Sequence, residues 1–172
     1  MTNDFLVSID TGDMPDIGPD VRSSVCSSAL LEQKVNDLGL DAMFVPFVRS
    51  AALLWHDHLD ASHDISQNIP SSEGSFLHGI MHRREPDYPN AKYWFRRAGN
   101  HSSYPVLSGK VEDYLKTIEK QEVFGYLVSS GCWDPFAFVD AVENAKRTGE
   151  NIEILQNIQR LEFESLVESF LA

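Results

Sequence analysis

The chain has 172 residues, 42% of them hydrophobic, and a formal net charge of −12. That length suits one domain able to bury about 70% of its unfolded surface, so folding needs no disulfide or metal staple. So acidic a balance argues against generic binding to nucleic acid or to an anionic membrane surface.

The first residues have neither a basic region nor a long apolar run, so no secretory signal or membrane span is expected. Residues 1–20 are rich in Asp, Gly and Pro, a mix that breaks regular structure, and are read as an irregular arm pinned by Phe5, Leu6, Val7 and Ile9. Residues 21–172 form the single helical domain. A weak helical pattern runs from Val21 to Leu38 and stops at Gly39. Cys26 and Cys132 lie far apart with no CxxC pair, which points to reduced thiols and a cytoplasmic protein.

Pro46 suits a first helical position, and apolar residues recur from Phe47 to Ile65 on one broad face. The spacing predicts a single helix to Gln67, with His58 on the apolar face and His56, Asp60, His63 and Gln67 on the polar one. A shorter helix fits Ser75 to Arg84 before Pro86, and another Ala91 to Ala98, with Asn90 as its cap and Gly99 as its stop. Three more follow: Lys110 to Ser129, Asp134 to Gly149, and Asn151 to Leu171. No strand or repeat is recognisable. The expectation is an all-α, single-domain bundle of about six helices.

All six histidines lie between Trp55 and His101. His78, His82 and Glu85 stand at i, i+4 and i+7 of one helix, a spacing at which two imidazoles and a carboxylate can share a divalent ion such as zinc, iron, manganese or nickel. The row is not the HExxH of zinc proteases, since Gly79 occupies the glutamate's place. His63 and His56 are further candidate ligands if the two helices pack antiparallel; the plainer reading of both stripes is a solvated face. His58 is either a structural histidine paired with a carbonyl or acid, or part of an internal pocket.

Arg83, Arg84, Lys92, Arg96 and Arg97 fall within fifteen residues whose only acids are Glu85 and Asp87. Interleaved with Tyr88, Asn90, Tyr93, Trp94 and Phe95, they could grip a small anionic molecule. The competing reading pairs them internally with the chain's many acids. Single-stranded nucleic acid would suit the same mix, but the overall charge opposes it. GxSxG, Walker and GxGxxG motifs are absent, so serine, cysteine and nucleotide chemistry are not expected.

The string FLHGIMHRREPDYPNAKYWFRRAGNH, with LLWHDHLDASHDISQ ahead of it, resembles a family of bacterial and fungal proteins without an assigned activity. The family's pattern runs H-D-x-x-D-x-S-H-x-I-x-Q, then W-H-x-I-x-H-R-R-E-x-D-Y-x-N-x-K-Y-W-F-R-R-x-G-x-H-P. The likeness covers about residues 51–105, including His63, Gln67, His78, His82, Glu85, Asp87, Tyr88, Asn90, Trp94 and His101, and departs at Leu77 (Trp in the family) and Ser102 (Pro). It implies a shared site and brings no reaction with it.

Two functions fit these residues. One is a metal-assisted hydrolase or lyase of a small anionic substrate, with His78, His82 and His58 as catalytic candidates. The other is a non-catalytic protein that binds a metabolite or an acidic partner in the same pocket. The apolar stripe of the last helix leaves room for a homo-oligomer.

Overall fold

The computed structural model describes residues 2–171. The protein is all-α: 70% of it is helix, and the described residues contain no strand. Among the described residues ten helices replace the expected six: α1 Thr2–Ser8, α2 Ser28–Asp37, α3 Val45–Trp55, α4 Leu59–Ser66, α5 Ser72–Arg84, α6 Tyr88–Ala98, α7 Tyr104–Thr117, α8 Gln121–Phe124, α9 Pro135–Thr148 and α10 Ile152–Leu171. A kinked 3₁₀ stretch, Gly125–Gly131, links α8 to α9. None of the helices is long and apolar enough to cross a membrane.

Two of the additional helices come from breaks. The helix expected from Pro46 to Gln67 is cut at Asp57, whose φ is +63°. There the Asp57 N–H donates to the Leu54 carbonyl and the His58 N–H to that of Leu53. That pair of bonds closes a helix through a left-handed residue, a place usually filled by glycine. The helix expected from Lys110 to Ser129 is cut in the same way at Glu119, φ +56°, with bonds from Glu119 to Lys116 and from Lys120 to Leu115. The same helix begins earlier than expected, at Tyr104, because Pro105 falls in its first turn, where a missing N–H costs nothing. Asp87, not Asn90, caps α6, its carboxylate accepting the Asn90 N–H at 3.3 Å. The N-terminal arm also differs: it opens with α1, which buries Phe5.

Helix α5 is the centre of the bundle. Every residue from Gly74 to Arg84 is buried, with α3, α4, α6 and α10 packed around it. Its approach to α6 is close: a Cβ on Gly79 would stand 3.0 Å from three carbons of the Phe95 ring. A side chain at that position would require the Phe95 ring to give way. Burial on all sides obliges the polar half of α5 to find partners within the protein. Arg83 donates to both Glu162 oxygens, at 3.0 and 2.6 Å, and Arg84 to Asp57 at 2.7 Å.

Candidate metal centre

His78 and His82, one turn apart on α5, meet His63 from the last turn of α4. One ring nitrogen from each of the three lies within 4.8 Å of the others. Both stripes were open to reading as solvated faces; the structure instead buries His78 and His82 to 1% and 6% exposure, and only His63, with a third of its side chain exposed, meets solvent. The rings pack against one another. Trp94 of α6 stacks on His78 with centroids 3.8 Å apart, His78 stacks on His82 at 4.7 Å, and His63 stands edge-on to both.

The decisive group is His78, since neither of its ring nitrogens has a hydrogen-bond partner. A buried donor–acceptor ring left bare is costly, and that cost is recovered by a ligand that accepts a lone pair. Burial, reinforced by the nearby His82, His63 and Arg97 charges, lowers the His78 pKa from the usual 6.5 to about 3. At neutral pH it is therefore an uncharged imidazole, the form that binds metal. A zinc ion with bonds of about 2.0–2.1 Å draws tetrahedral nitrogens to roughly 3.3 Å apart. Loading thus requires the rings to turn inward, and His78 gives up no hydrogen bond in doing so.

Glu85 stands outside this triad and behind one member of it. Its Oε2 lies 3.2 Å from His82 Nδ1, and the Asn90 amide lies 3.2 Å from His82 Nε2. A carboxylate on one nitrogen fixes the tautomer, a support common behind metal-bound histidines, and an ion at Nε2 would take the place of the Asn90 amide. Burial lowers the His82 pKa as well, against the pull of Glu85 and Asp87.

No family model, curated protein or solved structure matches the chain.

The remaining candidates are dispersed. His56 lies apart from the triad, with both nitrogens taken: Nδ1 accepts the Cys26 N–H at 3.0 Å, and Nε2 donates to the Ile9 carbonyl at 3.0 Å. It pins the N-terminal arm to the body. His58 stands at the start of α4 without a side-chain capping bond and donates from Nε2 to the Cys26 carbonyl at 2.7 Å, so a backbone carbonyl is its partner. The basic island divides. Arg83 and Arg84 turn into the core, Lys92 pairs with Asp140 at 2.5 Å, and Arg96 lies over Phe136. Arg97 alone of the five stays beside the histidines, its guanidinium 5.1 Å from the Trp94 ring and 3.2 Å from the Tyr93 hydroxyl. Tyr88 opens α6 near Glu143 and Lys146, away from the triad's contacts. The partners that claim the cations, Glu162, Asp57 and Asp140, carry no sequence signal, because they lie 27–79 residues away.

The buried histidines make the metal-free protein acid-sensitive. Burial leads the lowering of the pKa at His56, His78, His82 and His101. The unfolded chain, with histidines near 6.5, then binds more protons than the folded one, so stability rises with pH. For His78 the contribution is complete above about 6.5 and is lost progressively as the pH falls toward 3. Urea midpoints of metal-free protein should drop steadily from pH 7 to pH 4, with a shallower slope in His78→Gln. Equal slopes would contradict this assignment.

Proposed function

We infer that His63, His78 and His82 hold one divalent transition metal, and that the protein is a metal-assisted hydrolase or lyase of a small anionic substrate. The observation that carries this reading is the unpartnered, buried and neutral His78 imidazole facing two other imidazoles. Three neutral nitrogen donors suit zinc first, and also iron or nickel; three protein ligands leave a further position for water or substrate. When bound, the metal would acidify that water or polarise the substrate.

The chain's own residues have separable parts in this. Glu85 holds the His82 tautomer. Trp94 covers the His78 face and keeps water from that side. Arg97, braced by Trp94 and Tyr93, is the cation placed to receive a carboxylate or a similar anion. A single guanidinium favours a small substrate of low charge over a polyphosphate.

Metal analysis of untagged protein tests the reading. One equivalent of zinc, iron or nickel should survive dialysis and fall to background in His78→Gln and His82→Gln. Glu85→Ala should weaken the affinity by about 10–100-fold. Cobalt substitution should give the visible spectrum of a tetrahedral nitrogen site. Metal bound no more tightly in the wild type than in His78→Gln would overturn the proposal.

A further inference from the structure

A second group of side chains, independent of the histidine triad, surrounds the start of α7. His101 is 3% exposed and Ser103 2%. The Ser103 hydroxyl lies 2.8 Å from His101 Nδ1, and across the ring Nε2 lies 3.9 Å from a carboxylate oxygen of Glu73, in the first turn of α5. The Ser103 backbone N–H also donates to Nδ1, at 3.1 Å. That bond makes Nδ1 the unprotonated nitrogen and places the ring proton on Nε2, toward Glu73. Nε2 has no hydrogen-bond partner of its own.

Ser103 lines a cavity of about 340 Å³ together with Ser102, Val106, Ser165, Glu168 and Ser169. Ser165 is 2% exposed, and its hydroxyl has no partner in the protein. A bare buried hydroxyl in a cavity calls for a ligand with a polar atom. In the first turn of α7 the Tyr104 N–H donates to the His101 carbonyl at 3.1 Å, the Leu107 N–H donates to the Ser103 carbonyl at 2.9 Å and Pro105 has none, which leaves the Val106 N–H as the remaining donor.

We propose that Ser103, His101 and Glu73 form a serine-nucleophile site that hydrolyses carboxylic esters of short, polar acyl groups. The cavity, lined by four serines together with Val106 and Glu168, takes the acyl part. The Ser103 oxygen bonds to the ester carbonyl carbon, the carbonyl π pair moves onto its oxygen, and the hydroxyl proton passes to His101 Nδ1. The Val106 N–H, the remaining donor of that turn, is the group placed to meet the resulting oxyanion. Collapse breaks the bond to the alcohol oxygen, which leaves with the proton from His101. Water then repeats the sequence on the acyl-serine, so that ester and water give acid and alcohol. Glu73 is a positioning residue: its carboxylate, 3.9 Å from Nε2, is the negative charge that steadies the imidazolium as it forms. The ring's orientation reverses the familiar serine triad, in which Nε2 faces the serine, while the roles are unchanged. Burial lowers the His101 pKa, against Glu73, and keeps the base neutral at working pH.

The test uses the full chain in EDTA, so that its outcome is separate from that of the metal site. A fluorophosphonate probe should label Ser103, located by peptide mapping, and p-nitrophenyl acetate should give a burst of about one equivalent. Ser103→Ala should abolish both. His101→Gln should slow labelling by about 10²–10⁴-fold. Glu73→Gln should displace the pH profile of labelling, which a merely structural role would leave unmoved. Wild-type protein that takes no label at Ser103, or takes it elsewhere, overturns the proposal whether or not the variants fold.

Discussion

Asp57→Ala should cost about 3–5 kcal/mol of folding stability, the range found when one partner of a buried ion pair is removed. The Asp57 side chain is fully buried, and one carboxylate holds two cations. Oδ1 accepts from Arg84 at 2.7 Å; Oδ2 accepts the Arg22 backbone N–H at 3.0 Å and Nε at 2.9 Å. Burial alone would raise the pKa of this carboxyl, but the Arg22 and Arg84 hydrogen bonds outweigh it and hold Asp57 below the usual 3.8. Arg84 spends its other donors on the Leu54 and Gly18 carbonyls, and Arg22 reaches Trp55, Thr11 and Asp13. The network therefore joins the end of α3, the end of α5 and the N-terminal arm. Alanine would strand a buried guanidinium and also sit poorly at φ +63°, at a further cost of about 1 kcal/mol. Asp57→Gly relieves the backbone but not the charge; Asp57→Asn keeps one acceptor and tolerates the backbone. Urea titrations at pH 7 should therefore rank the losses Ala, then Gly, then Asn. An alanine variant within about 0.5 kcal/mol of wild type would mean the network contributes nothing.

The same residue explains which parts of the fold could be read in advance. Helix ends at Gly39, Gly99 and Gly149 were legible because glycine announces a positive φ, and all three adopt one. The ends at Asp57 and Glu119 use the same backbone geometry without glycine, so two helices looked continuous. At Asp57 the unfavourable conformation is held by Arg22 and Arg84, contacts that local periodicity cannot reveal. The site divides along similar lines. The i, i+4 spacing of His78 and His82 was visible, since both lie on one helix. His63 was only one candidate among several, because its place depends on α4 breaking away from α3 at Asp57. With the break, the His56 ring serves the arm and His63 turns toward α5. The basic island misled for another reason: an arginine in sequence does not reveal whether a distant acid has claimed it, and α5 lies too deep for Arg83 and Arg84 to reach an external anion.

The Arg83–Glu162 pair gives the second large effect, and there the distinction between keeping a pair and breaking it can be measured. Both side chains are fully buried, α5 against α10. Arg83 also donates to Gln159 at 3.3 Å and lies 4.4 Å from the Phe138 ring centroid, while its Nε has no partner. Burial pushes the Glu162 carboxyl above the usual 4.5, with Arg83 opposing the shift. Desolvation of the two charges thus offsets much of their attraction. Glu162→Ala should be strongly destabilising, by about 3–5 kcal/mol, because it leaves an uncompensated guanidinium among Phe95, Phe138 and α10. Arg83→Met combined with Glu162→Leu should recover most of that loss, since apolar groups of similar volume pack the space without desolvating a charge. Urea titrations of the two single variants and the double variant give the coupling directly. If the double variant is as unstable as Glu162→Ala, the pair contributes through more than its own charges, and Gln159, whose amide donates to the Asp16 carbonyl at 3.1 Å, becomes the next link to break. If stability recovers, α5 owes its depth in the bundle to apolar packing, with the ion pair tolerated inside it and fixing how α10 lies against α5.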